Sequence, residues 1–191
     1  RMFTMAAQTL GYQITVLDPT SDSPAGRIAE RHLKADYLDY QALADLSNTC
    51  AAITTEFENV PAEALRYLAQ QRVVSPAANS VSIAQDRIQE KQFLSANGFA
   101  VAPFAVIQAG DDLASPRYQS LCPGILKVSQ LGYDGKGQVR VTHIDDLPLA
   151  FDKLHQVPCV LEQLLPLSCE ISVILARGFN GEITHFPVIE N

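Results

Sequence analysis

Apolar runs alternate between strand-like and helix-like spacing in the first part of the chain and turn into a succession of strands after Asn97-Gly98, and that change, with a boundary placed near residue 79, constrains the fold more than any other feature of the chain. Before it, strand-like and helix-like stretches alternate. Residues 2–10 read as a helix stopped by Gly11, and residues 12–17 as an apolar strand ending at Asp18-Pro19. Ser23-Pro24 reads as an N-cap with proline at the first position of a short helix over 27–31. Residues 40–46 and 61–70 read as further helices, with short strands at 51–54 and 73–74. Such alternation predicts a parallel, doubly wound α/β sheet.

Ser80 opens the longest predicted helix, which contains Glu90 and Lys91 and closes at Asn97-Gly98. Strands then follow at 104–107, 124–128, 138–142, 158–162, 170–176 and 183–188, with one helix among them at 145–155. Asn180-Gly181 between two apolar runs predicts a type I′ hairpin. The expected fold is therefore α/β followed by α+β with antiparallel pairing, divided into residues 1–79 and 80–191.

Composition narrows the partners. With 47% apolar residues in 191, the chain can bury a real core. A net charge of −7 with no basic stripe argues against a polyanion surface, although one or two placed cations suffice for a small phosphate ligand. No apolar run approaches the ~18 residues of a membrane span, and the opening Arg-Met-Phe-Thr lacks a signal-peptide pattern. The four cysteines (Cys50, Cys122, Cys159, Cys169) are isolated, which fits buried reduced thiols in a cytosolic protein better than zinc or disulfides. The four histidines (His32, His143, His155, His185) show no metal spacing. A helix with no preceding strand at one end, and a strand at the other, read as a fragment of a longer protein.

The segment from Gly124 to Gln138 is the most telling. Lys127 sits in an apolar strand, a loop with three glycines and a second lysine follows, and a second strand comes straight after. Glycines let backbone N–H groups approach phosphate oxygens without a Cβ clash, and lysine adds a movable positive charge. The string fits either a flap over a polyphosphate or a solvated hairpin; it is not a Walker motif. Lys127 points either into a cleft or outward from an edge strand. Glu162 ends a strand, where it reads an adenine amino group or faces water, and Glu170 either meets ribose hydroxyls or lies on the surface. Glu56 and Glu58 bind a sugar or ring amine at a strand end, or cap the helix that follows Pro61. Arg87 pairs along its helix with Glu90 or aims at phosphates.

Taken in order, Gln85-Asp86-Arg87, Glu90-Lys91, Lys127, Gly132-Tyr133-Asp134-Gly135-Lys136-Gly137-Gln138, Glu162-Gln163 and Glu170-Ile171-Ser172-Val173 resemble the ATP-grasp enzymes. Glu56-Phe57-Glu58-Asn59-Val60-Pro61 and the Gly-Tyr-Asp-Gly-Lys-Gly string narrow the resemblance to the N5-carboxyaminoimidazole ribonucleotide synthase family. The resemblance covers the whole chain. It implies a Rossmann-like pre-ATP-grasp domain over 1–79 lacking its first strand and glycine loop, then the first part of an ATP-grasp domain over 80–191 with a lid at about 103–162.

It further implies ATP-dependent carboxylation of 5-aminoimidazole ribonucleotide with bicarbonate by way of carboxyphosphate, in purine biosynthesis, with ATP and Mg²⁺. By resemblance, Arg87 and Lys127 meet ATP phosphates; Gly132, Tyr133, Asp134, Gly135, Lys136, Gly137 and Gln138 form the flap; Tyr133 and Lys136 also approach bicarbonate. Glu162, Gln163, Leu164 and Leu165 hold adenine, and Glu170 holds ribose. Metal ligands are expected beyond Asn191 and none within this stretch, so the piece is expected to be inactive alone. The full-length form is expected to be a cytoplasmic homodimer without nucleic-acid or membrane partners. Val128, Ser129, Gln130 and Leu131 stand where the family often carries basic residues and a further glycine. The alternatives are another ATP-grasp ligase, such as formate-dependent glycinamide ribonucleotide transformylase, or a non-catalytic nucleotide-binding module.

Overall fold

The computed structural model describes residues 1–132 and 136–191. Helix α1 (Met2–Thr9) ends at Leu10, and Gly11 turns the chain with φ +84°. Strand β1 (Thr15–Leu17) pairs in parallel with β2 (Arg31–Leu33), Thr15 opposite Arg31. The helix expected over 27–31 is absent. Residues 21–30 form turns, and Arg31 already belongs to β2. Packing decides this: a Cβ at Gly26 would lie 2.6 Å from His32 Nδ1, so the chain folds tightly back on its own strand. Ser23 caps only that turn, its hydroxyl accepting from Gly26 N at 3.2 Å.

Helix α2 (Tyr40–Thr49) starts on Asp39, whose Oδ1 accepts from the Gln41 and Ala42 amides at 2.9 and 3.1 Å. Strand β3 (Ala52–Ile53), helix α3 (Ala62–Leu68) and strand β4 (Val73–Val74) follow, with β3 and β4 parallel. Leu43, Leu46, Ala64 and Leu68 of the two helices pack against Leu17, Leu33, Ile53 and Val74, so both parallel pairs share one core. The expected α/β character of this part is present.

The long helix expected from Ser80 to Asn97 is two helices, α4 (Ala78–Ala84) and α5 (Arg87–Ala96). Asp86 breaks it by acting as N-cap, accepting from Ile88 N at 2.9 Å, while Gln85 Nε2 reaches back to the Glu58 and Val60 carbonyls, each at 2.6 Å.

Strand β5 (Phe104–Ile107), helix α6 (Pro116–Gln119), strands β6 (Gly124–Val128) and β7 (Gln138–Val141), helix α7 (Leu147–Lys153) and strand β8 (Cys159–Gln163) complete the next unit. The strands form an antiparallel sheet in the order β5-β8-β6-β7. Alternation along each strand sends Ile107, Leu126, Val141, Cys159 and Leu161 to one face, where Tyr118 of α6 and Leu147 and Phe151 of α7 bury them. The opposite face carries Phe104, Lys127, Val160 and Glu162 and packs against α5.

Of the last two expected strands, 170–176 is broken in two, and 183–188 ends at His185 with a further strand beyond it. Strands β9 (Ile171–Ser172) and β10 (Leu175–Arg177) pair respectively with β12 (Ile189–Glu190) and β11 (Ile183–His185). Phe186, Pro187 and Val188 stand opposite only Val173 and Ile174, a bulge at which Pro187 has no N–H to give. The hairpin is not type I′. Gly178 N donates to Glu182 O at 2.9 Å, which leaves a three-residue loop, and of Asn180 and Gly181 only Gly181 has a positive φ, +82°. Among the described residues, no helix is long and apolar enough to cross a membrane.

Candidate functional site

Strand register builds the centre of the site. Lys127 lies opposite Val160 and Ile125 opposite Glu162, so Lys127 and Glu162 are diagonal neighbours on one face of adjoining strands. Helix α5 brings Lys91 over the same face. Lys127 Nζ lies 3.0 Å from Glu162 Oε2, and Lys91 Nζ lies 3.2 Å from that same oxygen. Glu162 is only 8% exposed, which removes the reading in which it faces water. β6 is an inner strand, which removes the reading of Lys127 as the outward residue of an edge strand.

The charge balance of this cluster is uneven. Burial pushes the Glu162 carboxyl up, but the hydrogen bond and charge of Lys127, with Lys91 behind it, outweigh burial and hold it below its ordinary value. Glu162 therefore stays ionised, and two ammonium groups share one carboxylate. A formal positive charge is left in a partly dehydrated place.

The loop after β6 is anchored at both ends. Val128 N donates to Gly137 O, and Ser129 N to Pro158 O, both at 2.9 Å. A Cβ at Gly132 or Gly137 would fall 2.9 or 2.7 Å from Val128 Cγ2, and Gly137 has φ +73°. Only bare backbone closes there. Lys136 and Gln138 are exposed at the start of the returning strand. The flap and bicarbonate roles expected of Tyr133, and the flap roles of Asp134 and Gly135, lie outside the described residues.

Arg87 anchors this loop rather than pairing with Glu90. Its amide donates to Ser129 O at 2.8 Å and its Nη1 to Val128 O at 3.0 Å. Gln130 Nε2 adds a bond to Asp86 Oδ2 at 3.0 Å. Beyond Glu162, the Gln163 and Leu164 amides donate to the Pro103 and Pro123 carbonyls at 2.9 Å, and Leu165 is exposed. Glu170 is exposed, its carbonyl accepting from Asn191 N at 2.9 Å, and among the described residues its side chain makes no ion pair with the lysine cluster.

A cleft of about 440 Å³ lies beside the loop root, between Glu56, Phe57 and Asn59 on one side and Arg87, Ser129 and Gly132 on the other. Glu56 does cap a helix, but not the one after Pro61: its Oε1 accepts from the Met2 and Phe3 amides of α1 at 3.1 and 3.3 Å. Among the described residues no group of three or more His, Cys, Asp or Glu is placed to hold a metal ion. The residue given no role of its own by the sequence reading is Lys91. Its position four residues after Arg87, one helical turn away, was the available signal.

Residues 1–85 match the ribonucleotide synthetase preATP-grasp domain, and residues 92–191 match the ATP-grasp domain. An N5-carboxyaminoimidazole ribonucleotide synthase of Brucella melitensis is 39% identical, covering 100% of this chain and 53% of that relative. N5-carboxyaminoimidazole synthetase from Staphylococcus aureus, solved in complex with ADP, superposes with a TM-score of 0.92 at 36% identity, covering 100% of this chain and 51% of the other. An N5-carboxyaminoimidazole synthase from Aspergillus clavatus, in complex with ADP and 5-aminoimidazole ribonucleotide, superposes with a TM-score of 0.84 at 25% identity, covering 100% and 50%. The chain spans about half the length of the relatives it matches.

Proposed function

This chain belongs to the ATP-grasp family, and from that premise we propose that it supplies nucleotide-binding elements to an ATP-dependent carbon–nitrogen ligase of purine biosynthesis. The reaction joins bicarbonate to 5-aminoimidazole ribonucleotide, giving N5-carboxyaminoimidazole ribonucleotide, ADP and phosphate. The observation that carries this reading is the pair of lysines on Glu162 beside a glycine-closed loop. Relatives solved with ADP, and with ADP plus 5-aminoimidazole ribonucleotide, support the ligand classes.

The residues fit a nucleotide. ATP, when bound, supplies the phosphoryl group that activates bicarbonate. Lys127 offers a charge-assisted bond to phosphate oxygens, and Arg87 keeps the loop root in register with α5 while adding positive charge nearby. The loop from Gly132 to Gln138 covers the phosphates and excludes water, with Lys136 and Tyr133 toward bicarbonate. Leu164 and Leu165 give adenine apolar walls beside the backbone of Gln163, Glu162 contributes from the strand end, and Glu170 takes the ribose. The cleft at Glu56 and Glu58 suits the ribonucleotide. Magnesium finds no ligand set among the described residues.

The proposed domain boundary lies near residue 79, with a lid at about 103–162. The protein is proposed to be cytoplasmic, which its four free thiols suit, and a homodimer at the length of its relatives, without nucleic-acid or membrane partners. The test is ADP release by this sequence carried at the full length of its relatives. Release that requires both bicarbonate and 5-aminoimidazole ribonucleotide is expected. Dependence on formate or an amino acid instead points to another ATP-grasp ligase, and ATP binding with no acceptor dependence to a binding module.

A further inference from the structure

We propose that Lys91 is a positioning residue of the nucleotide site, holding Glu162 while Lys127 turns from that carboxylate to the phosphates of the nucleotide. The inference rests on the nucleotide reading above. Its ground is that both ammonium groups meet the same oxygen, Glu162 Oε2, at 3.0 and 3.2 Å. One carboxylate needs one cation to balance it, so the second is surplus until an anion arrives.

The two lysines are not equivalent. Lys127 is the more exposed, its side chain 23% accessible against 14% for Lys91, and it stands next to the last residue of β6, where the glycine loop begins. Lys91 is held from several sides. Its ammonium lies 5.8 Å from the centre of the Phe104 ring, and its helix is tied to β6 through Arg87. Lys127 is therefore the cation free to change partners, and Lys91 the one that stays.

The handover needs Lys91. Withdrawing Lys127 without it would strand an ionised carboxylate at 8% exposure, which is strongly unfavourable. With Lys91 in place, Glu162 keeps a partner at hydrogen-bonding distance in both states. Without Lys91, Lys127 becomes the sole counter-ion of Glu162 and is harder to draw away. The loss falls on phosphate binding and spares the nucleoside.

The experiment compares wild type, Lys91→Met, Lys91→Arg, Glu162→Gln and the Lys91→Met/Glu162→Gln double variant at the full length of the relatives. Binding of ATP, ADP and adenosine is measured by calorimetry and competition, with melting temperatures to confirm folding. Lys91→Met is expected to weaken ATP and ADP about tenfold or more and to leave adenosine within about twofold, in line with loss of a charged hydrogen bond. Lys91→Arg is expected to recover ATP binding to within about threefold, because it keeps the charge. In the Glu162→Gln background, loss of Lys91 is expected to cost little further affinity for ATP. Wild-type binding of ATP with an unaltered Lys91→Met variant, or equal losses for ATP and adenosine, overturns the role of Lys91 alone. A folded wild type that binds no ATP overturns the nucleotide reading itself.

Discussion

Glu162 ties acid stability to the site. Its folded carboxyl is held below the ordinary 4.5, so its pairing stabilises the fold above that value and is lost as pH falls through the lowered one. Glu162→Gln should therefore flatten the acid limb of a stability-versus-pH curve. At pH 7 it should cost about 2 kcal/mol, less than a fully buried pair because Lys127 is 23% exposed, as urea unfolding would measure. Gly137→Ala meets two penalties, a positive φ and a Cβ 2.7 Å from Val128 Cγ2, and should lose about 1–2 kcal/mol. Adding Val128→Ala should relieve the clash and leave the φ penalty. The cysteines separate by burial. The Cys159 thiol is pushed up to about 11 by its surroundings, whereas Cys169 is exposed. Timed alkylation with mass spectrometry should modify Cys169 first and Cys159 last.

Elements were legible where a local rule and tertiary packing agreed. Helices α2 and α3 and strands β5 and β6 lie where the apolar periodicity puts them. The break between α4 and α5 does not show in the apolar periodicity although its signal is local: Asp86 is an N-cap residue type, and Gln89, three residues later, reaches back to Asp86 Oδ2 at 3.3 Å with its Nε2. Asp86→Ala should cost about 1 kcal/mol through lost capping and release Gln130 from its clamp, seen as faster amide exchange at the start of the glycine loop. β2 carried no such signal, since Arg31-His32-Leu33 has no apolar alternation and becomes a strand only because β1 lies alongside.

At the scale of the whole molecule, the two larger interiors among the described residues are built on different pairings, parallel strands with α2 and α3 and the antiparallel sheet with α6 and α7, while Leu65, Ala78 and Val81 form a smaller cluster between α3 and α4. Leu126 is fully buried in the second, and Leu126→Ala should cost about 3 kcal/mol while leaving the lysine face opposite intact. The stretch around β10 and β11 instead exposes its apolar residues, Phe179 at 87%. That surface should make the 191-residue chain associate as concentration rises, which light scattering would follow and Phe179→Ser should reduce. The sequence by itself determined the local choices: strand and helix periods, the change of pattern after Asn97-Gly98, and a glycine-and-lysine loop between two strands, because each depends on neighbours a few residues apart. Only the tertiary structure decided that Lys91, Lys127 and Glu162 meet at one oxygen, since the first and the last lie 71 positions apart in the chain (162 − 91) and strand order, register and helix placement jointly fix their distance.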